Sequence, residues 1–223
     1  MYTLCQGRKS RGTAGKRRLE AKPEHVRIGV LGGTFDPVHY GHLRLAEEVR
    51  EALGLQRVWL IPAFVSPFRT AEQLSDPTHR LQMLQLAAQD NPHFTVSDIE
   101  IQRGGVSYTV ETLHALQAQL PDTELYLILG ADALRGFPTW REPERIVQVC
   151  QLAAGVRPDH DLPTTLTALP EPIRARVQPI PTTPLDISAS ELRQRVRARR
   201  SIRYLTPPNV IEYIHQHRLY LEP

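Results

Sequence analysis

The stretch that decides the fold runs from residue 28 to residue 42 and reads IGVLGGTFDPVHYGH. It begins as an apolar run, passes through Gly32 and Gly33, and ends with two histidines, His39 and His42. Short β-branched runs that end in glycine are typical of buried strands in parallel sheets. The stretch therefore predicts a strand, a glycine-rich turn and the start of a helix.

The two histidines stand at the start of that predicted helix. Apolar residues with helical spacing continue to Leu53, and Gly54 follows as a stop, so the helix is expected over 41–53. An i, i+3 spacing places the imidazoles of His39 and His42 on one face of the first turn. Free N–H groups and the positive end of the helix dipole favour anions at this place. The sequence therefore predicts a phosphate site.

A metal site is the alternative interpretation of two histidines in one turn. Zinc would need a third and a fourth ligand. The other seven histidines are scattered, with no helical HExxH pattern, and Cys5 and Cys150 are far apart in the chain. We therefore expect no metal ion held by protein ligands at this turn.

Two separated motifs resemble one superfamily. GGTFDP at 32–37, followed by HYGH at 39–42, is similar to the signature of the HxGH nucleotidyltransferases. Members of that superfamily move a nucleoside monophosphate from a nucleoside triphosphate onto a phosphate acceptor. ISASELR at 187–193 resembles their ISxTxxR element, with Ser190 where threonine is more usual. Serine keeps the hydroxyl, so the departure is mild.

Three further stretches resemble the bacterial nicotinate mononucleotide adenylyltransferases. They are Ser107-Tyr108-Thr109 with Thr112-Leu113, Gly130-Ala131-Asp132 with Trp140, and Tyr204-Leu205 with Pro207, Val210, Tyr213-Ile214 and Leu219-Tyr220. The resemblance covers residues 26 to 221. It departs at 67–69, where that family commonly has Pro-His-Lys and this chain has Pro-Phe-Arg. A planar guanidinium on Arg69 replaces the lysine ammonium beside a phosphate, although the two groups differ.

The resemblance implies adenylyl transfer from ATP to nicotinate mononucleotide, with Mg²⁺ held by ATP rather than by the protein. The implied catalytic residues are His39, His42 and Arg193. The implied ATP- and phosphate-binding residues are Gly32, Gly33, Thr34, Phe35, Arg69, Gly130, Asp132, Ile187, Ser188 and Ser190. The implied nicotinate mononucleotide-binding residues are Thr109, Trp140 and Arg141, and an arginine at 141 favours an acid over an amide. With an ordinary pKa near 6.5, both histidines would be held protonated by a polyphosphate.

Other acceptors and another class of protein remain open. Within the superfamily, the acceptor could be nicotinamide mononucleotide, phosphopantetheine or another phosphate ester. Outside enzymology, the chain could be a nucleotide- or RNA-binding relative with an inert site. Both histidines and the Ser-x-Ser-x-x-Arg element are intact, which favours an enzyme.

Predicted strands and helices alternate along the chain. Strands are expected at 26–32, 57–62, 94–101, 124–129, 151–156 and 176–180, and helices at 41–53, 77–89, 109–119, 142–149, 189–199 and 207–217. Asp76-Pro77 and Thr206-Pro207 have the composition of helix starts, and Ser188 and Glu191 have capping-box spacing. This alternation predicts an α/β fold with a doubly wound parallel sheet, here a single domain of Rossmann-like nucleotidyltransferase type over 26–223.

Composition is that of an ordinary globular enzyme. The chain has 223 residues, of which 41% are hydrophobic and 23% charged, enough for one well-filled domain. No apolar stretch approaches 18 residues, so we expect no membrane span. Two distant cysteines give no disulfide framework, as expected of a protein in the reducing cytoplasm. The sequence leaves a homo-oligomer open.

The first 25 residues differ from the rest in charge. They hold seven of the 27 Lys and Arg residues and two of the 24 acidic ones, so the remainder has 20 basic and 22 acidic side chains. The segment is rich in Gly and Lys, poor in apolar residues, and lacks the apolar core of a secretory signal. We expect a disordered extension, with a nucleic-acid-binding arm as the weaker alternative.

Overall fold

A six-stranded parallel sheet forms the centre of the fold. Its strands are β1 (Val26–Gly33), β2 (Arg57–Pro62), β3 (Phe94–Val96), β4 (Thr123–Gly130), β5 (Cys150–Val156) and β6 (Val177–Pro181). Their order is β3-β2-β1-β4-β5-β6, and every neighbouring pair is parallel. The predicted doubly wound α/β sheet is confirmed.

The structure, a computed structural model, describes residues 26–68, 74–156 and 162–221. The expectations for the basic segment 1–25 and for Arg69 lie outside the described residues and stay predictions.

Helices cover both faces of the sheet. They are α1 (Tyr40–Leu53), α2 (Pro77–Ala88), α3 (Ile99–Arg103), α4 (Thr109–Gln119), α5 (Ala131–Gly136), α6 (Pro143–Val149), α7 (Leu162–Ala168), α8 (Glu171–Arg174), α9 (Ala189–Arg197) and α10 (Pro208–Gln216). Among the described residues, none of these helices is both long and apolar enough to cross a bilayer.

The sheet separates two apolar cores. Buried residues of α1, α2, α9 and α10 pack on one face, and those of α4, α5, α6 and α8 pack on the other. Strand β1 contributes to both, since Leu31 belongs to the first core while Ile28 and Val30 belong to the second. Alternate residues of a strand point to opposite faces, so a central strand must be apolar on both sides.

The predicted strand over 94–101 is wrong in its second half. Strand β3 ends at Val96, and the alternating residues Ile99, Glu100 and Ile101 form the short helix α3 instead. Gly104, with φ 70°, ends this helix in a conformation that favours glycine. The helix places Glu100 on a buried face rather than on the sheet.

The helix start expected at Thr206-Pro207 lies one residue later. Helix α10 begins at Pro208, and the Thr206 hydroxyl donates a hydrogen bond to the Val38 carbonyl at 2.8 Å. The other predicted caps are confirmed: Asp76 accepts from the Thr78 N–H, and Ser188 accepts from the Glu191 N–H. Thr206 therefore ties the C-terminal region to the segment before His39.

The strand order reverses between β1 and β4. Strands β2 and β3 extend the sheet on one side of β1, whereas β4, β5 and β6 extend it on the other. At such a switch point the loops diverge from the carboxyl ends of the strands and leave a crevice, where ligands bind. The loops that follow Gly33 and Gly130 border that crevice, so the fold places the predicted motifs at one edge.

Candidate active site

His39 and His42 stack on each other at the start of α1. Their ring centroids lie 3.7 Å apart, with 25° between the ring planes. The His39 N–H donates to Nδ1 of His42 at 3.3 Å. Because that nitrogen accepts, neutral His42 carries its proton on Nε2, where it is available to a ligand. The prediction that both imidazoles share one face of the first turn is confirmed.

Burial keeps the two histidines neutral in the protein without ligand. It lowers the pKa of His39 to about 4. Burial also lowers the pKa of His42 well below its ordinary value, and the neighbouring His39 lowers it further. A desolvated imidazole resists protonation unless an anion comes close. Protonation of this pair at neutral pH therefore requires a bound anion.

Gly41, between the two histidines, leaves room for the His39 ring. A Cβ atom at this position would lie 3.0 Å from two atoms of the His39 ring and 3.6 Å from the Ile187 carbonyl oxygen. The first two contacts are tighter than side chains normally tolerate. Glycine at this position therefore lets the His39 ring take its place beside the helix start, while the Ile187 carbonyl lies at an ordinary contact distance.

Arg193 reaches the loop after β1 from helix α9. Its Nη1 donates to the Asp36 carbonyl at 2.7 Å, and its Nη2 donates to the Ser190 hydroxyl at 3.2 Å. Ser188 caps this helix through its hydroxyl, which accepts from the Glu191 N–H at 3.1 Å. One hydrogen bond, from Arg193 to the Asp36 carbonyl, thus joins the 187–193 element to the glycine-rich loop. The role of Arg193 toward pyrophosphate stays a prediction.

Arg80 is a buried residue of this region that the sequence analysis did not identify. Its side chain is fully buried and donates to the carbonyls of residues 34, 63, 64 and 75 at 2.6 to 2.9 Å. One guanidinium therefore holds the loops after β1 and β2 together. A signal was present, because Arg80 occupies the helical stripe that continues with Met83, Leu84 and Ala88.

Two cavities adjoin at this edge of the sheet. The larger cavity, about 520 Å³, includes Gly33, Thr34, Thr109 and Arg141 in its lining. The smaller cavity, about 460 Å³, is lined in part by the residues Gly41, His42, Gly130, Asp132 and Thr183. Gly32 and Trp140 line both cavities. A ligand with two halves could therefore span the shared wall.

Aromatic side chains at the larger cavity include Phe68, Tyr108 and Trp140. The Trp140 ring lies 5.2 Å from that of Phe137 and 6.3 Å from that of Phe68, measured between centroids. Phe137 is buried, whereas Phe68 is 66% exposed. Trp140 therefore has a firm support on one side and an accessible neighbour on the other.

Arg141 lies at the same cavity, but other protein groups contact its guanidinium. Nη1 lies 3.3 Å from a Glu111 carboxylate oxygen, Nε lies 3.6 Å from Glu142, and the guanidinium carbon lies 4.4 Å from the centroid of the Tyr108 ring. Thr109 begins helix α4, so the free N–H groups of its first turn also lie at this cavity. The structure brings all three residues of the predicted acceptor site together.

Asp132 stands apart from the close contacts. Its side chain is 95% exposed at the rim of the smaller cavity and lies 3.6 Å from Arg135. The predicted phosphate contact of Arg69 lies outside the described residues.

Phe35, with φ 49°, is buried behind the glycine turn, and its ring lies 3.4 Å from the position of a Cβ on Gly33. Phe35 thus supports the turn from behind.

Glu100 is a second residue that the sequence analysis did not identify. It lines the larger cavity, and its carboxylate accepts a hydrogen bond from the Thr112 hydroxyl at 2.5 Å. Burial raises the pKa of this carboxyl group, while the Thr112 hydrogen bond opposes that rise. No sequence signal was available, because the residue occupied an apparent strand.

Comparison with known proteins agrees with this geometry. The cytidylyltransferase-like family model matches residues 30–195. A "probable nicotinate-nucleotide adenylyltransferase" of Roseiflexus sp. is 51% identical over 198 residues, which cover 86% of this chain and 97% of that protein. A protein of the same name from Thermomicrobium roseum is 43% identical, with 87% and 91% covered.

Solved structures show the same fold. The Plasmodium falciparum nicotinic acid mononucleotide adenylyltransferase complexed with NaAD matches with a TM-score of 0.74 and 21% identity, over 88% of this chain and 98% of that one. Together with the two bacterial relatives, these matches settle the family. The chain belongs to the cytidylyltransferase-like family, in its branch of nicotinate-nucleotide adenylyltransferases.

Proposed function

We propose that this protein transfers the adenylyl group of ATP to nicotinate mononucleotide, giving nicotinate adenine dinucleotide and pyrophosphate in NAD biosynthesis. The observation that carries the proposal is the pair of cavities that share Gly32 and Trp140. His42 lines the smaller cavity, and Phe68 and Tyr108 line the larger one. Its relatives from Roseiflexus and Thermomicrobium are named for this activity.

The reaction needs no protein nucleophile. An oxygen of the acceptor 5′-phosphate forms a bond to the α-phosphorus of ATP, and the bond from that phosphorus to the bridging oxygen of the β-phosphate breaks. Pyrophosphate leaves with the electron pair. Because the acceptor phosphate is already an anion, catalysis consists of positioning two anions that repel each other and stabilising the charge of the transition state.

The smaller cavity would receive the triphosphate. His42 donates from Nε2, and the approaching polyphosphate raises the pKa of the stacked pair, which takes up as much as about one proton. Arg193 contacts the departing pyrophosphate, because a guanidinium can donate two parallel hydrogen bonds to phosphate oxygens. The remaining contacts proposed for ATP and its phosphates come from Gly32, Gly33, Thr34, Phe35, Arg69, Gly130, Asp132, Ile187, Ser188 and Ser190.

Magnesium would enter with ATP. In the segments that the structure describes, no three His, Cys, Asp or Glu side chains form a metal-binding group. Asp132 lies exposed at the smaller cavity, a position that suits an ion bound chiefly by phosphate oxygens and water. When bound, the ion neutralises charge on the phosphates.

The larger cavity would receive nicotinate mononucleotide. Trp140 stacks on the pyridine ring, and the N-terminus of α4 at Thr109 offers N–H groups to the nicotinate carboxylate. Arg141 adds positive charge, which Glu111 and Glu142 offset. This partial neutralisation favours a second candidate acceptor, nicotinamide mononucleotide, in which the carboxylate is replaced by an uncharged amide.

We place the enzyme in the cytoplasm, with small-molecule substrates as its partners. Nucleic-acid binding by the basic segment 1–25 is the weaker interpretation, and a homo-oligomer stays open.

The test is pyrophosphate release from ATP and Mg²⁺, with the acid and the amide mononucleotides assayed in parallel. Strong preference for the acid is the expected result. Equal use of the two acceptors, or a preference for the amide, would still support adenylyl transfer but would contradict recognition of the nicotinate carboxylate. No release with either acceptor would contradict the proposal.

A further inference from the structure

Helix α10 leads to a tyrosine, Tyr220, that reaches back to the glycine-rich loop. The Tyr220 hydroxyl donates to Oδ1 of Asp36 at 2.7 Å. Oδ2 of the same carboxylate accepts from the Ser75 N–H at 3.2 Å. Asp36 is only 1% exposed, so its charge depends on these donors rather than on water. The C-terminal region is thus joined to the loop between Gly33 and His39.

Asp36 connects that hydroxyl to Arg193. The carboxylate of Asp36 accepts from Tyr220, while its backbone carbonyl accepts from Nη1 of Arg193 at 2.7 Å. Rotation or displacement of this one residue would therefore move the acceptor that aims the guanidinium. The other donor of Arg193 goes to Ser190, on its own helix, and does not fix the guanidinium to the loop.

Tyr220 is suited to a permanent contact. Burial raises the pKa of its phenol, and the nearby Asp36 carboxylate raises it further, so the hydroxyl keeps its proton and remains a donor. Its backbone takes φ 63°, a left-handed conformation that is unfavourable for a bulky residue. The surrounding contacts hold the residue in this conformation and direct the ring to Asp36.

We infer that Tyr220 is a positioning residue for adenylyl transfer: its hydroxyl fixes Asp36, and the Asp36 carbonyl thereby orients Arg193 toward the departing pyrophosphate. This inference rests on the proposed function. Charge on the leaving pyrophosphate grows in the transition state, so misorientation of Arg193 lowers kcat more than it changes acceptor binding. A small misplacement of a catalytic group is enough to slow a reaction strongly.

Tyr213 supplies a matched control. It lies on α10, and its hydroxyl also makes one hydrogen bond to helix α2, at 2.9 Å from Nδ1 of His79. That contact has no link to Asp36 or Arg193 in the hydrogen bonds of the described residues. Tyr213→Phe and Tyr220→Phe therefore each remove one hydroxyl that makes a tertiary hydrogen bond, but only the second removes a donor to the glycine-rich loop.

The experiment is a double-mutant cycle on full-length protein. Pyrophosphate release is measured for wild type, Tyr220→Phe, Tyr213→Phe, Arg193→Ala and the double variant Tyr220→Phe/Arg193→Ala. We expect Tyr220→Phe to lower kcat about tenfold, with the KM for the acceptor unchanged. In the Arg193→Ala background, Tyr220→Phe should lower kcat by less than about twofold, because the guanidinium that the Tyr220 hydroxyl orients is already absent.

Several results would overturn the inference. They are an unchanged kcat in Tyr220→Phe, an equal loss of kcat in Tyr213→Phe, and an equal loss of kcat from Tyr220→Phe with and without Arg193. The last result would indicate a general loss of structural stability. Melting temperatures measured in parallel separate unfolding from misorientation. A wild-type protein without turnover would contradict the proposed function itself, whereas active wild type with an unaffected Tyr220→Phe contradicts only the role of Tyr220.

Discussion

Buried hydrogen bonds hold the loop after β1, on the side of the cleft proposed to bind phosphate (the phosphate side). The proposed acceptor side combines the buried hydrogen bond between Glu100 and Thr112 with partly exposed aromatic and charged side chains. On the first side, Arg80 is fully buried and Asp36 is 1% exposed. On the second side, Phe68 is 66% exposed and the Arg141 side chain is 50% exposed. Buried polar networks fix a single geometry, whereas exposed contacts adjust at little energetic cost. From this contrast we expect the proposed chemistry to depend on the rigid side and acceptor choice on the adaptable side.

The largest effect is expected from Arg80, which joins the loops after β1 and β2. Arg80→Met keeps an apolar stem but leaves four buried or partly buried carbonyls without their donor. We expect the free energy of unfolding to fall by about 3 to 5 kcal/mol, measured in urea. Arg44→Met, which removes an exposed pair with Glu48, is the control and should lose less than about 1 kcal/mol. Similar losses in both variants would contradict the assignment.

The next effect separates chemistry from folding on the same side. His42→Ala should lower kcat by about 100-fold or more, because it removes a donor to the transferring phosphates. The unfolding midpoint should stay near that of wild type. His215→Ala, on the exposed face of α10, is the control. An unchanged rate in His42→Ala would remove this residue from the mechanism.

The acceptor side should respond in binding rather than in turnover. Trp140→Ala removes the proposed stacking platform, so the KM for nicotinate mononucleotide should rise about tenfold while kcat changes little. Trp140→Phe retains a ring and should recover much of the loss. Steady-state kinetics with acceptor varied at saturating ATP makes the measurement. A fall in kcat at constant KM would contradict the expectation that Trp140 contributes to acceptor binding rather than to turnover.

The same contrast explains what the sequence could predict. The parallel sheet follows from local patterns, since short apolar runs and capping residues such as Asp76 and Ser188 act over a few residues. The contact between His39 and His42 is equally local, because the two residues are three positions apart at the start of one helix. These features required no knowledge of distant contacts.

The buried network could not be predicted in this way. The glycine-rich turn was predicted, but the carboxylate of Asp36 in this loop bonds to a residue 184 positions away. The carbonyls that Arg80 contacts belong to three separate segments, and no spacing rule joins them. Glu100 was hidden because Ile-Glu-Ile alternates like a strand, and tertiary burial turned the segment into helix α3. Long-range polar contacts are what the local pattern omits.

The smallest effect is a proton balance, and it tests how the rigid side responds to its ligand. In the protein without ligand, the pKa of His39 lies at about 4 and that of His42 lies well below 6.5. Polyphosphate raises both values, so between about pH 5 and 6.5 the bound state holds more protons than the free state. Binding of a nonhydrolysable ATP analogue should therefore take up as much as about one proton and strengthen as the pH falls.

Calorimetry in two buffers with different ionisation enthalpies measures this uptake. A double variant, His39→Ala with His42→Ala, is the control, because it retains any protonation of the nucleotide itself.

The pH dependence of the folding equilibrium gives an independent test of the direction of the two pKa shifts. Since both folded-state pKa values lie below those of unfolded histidine, the free energy of unfolding of the protein without ligand should decrease as the pH falls from about 6.5 toward 4. The analogue should reverse that decrease. If wild type and the double variant take up equal numbers of protons, the histidines remain neutral and donate to phosphate without charge, and the electrostatic stabilisation of the phosphate side must come from Arg193 and the helix N-terminus instead.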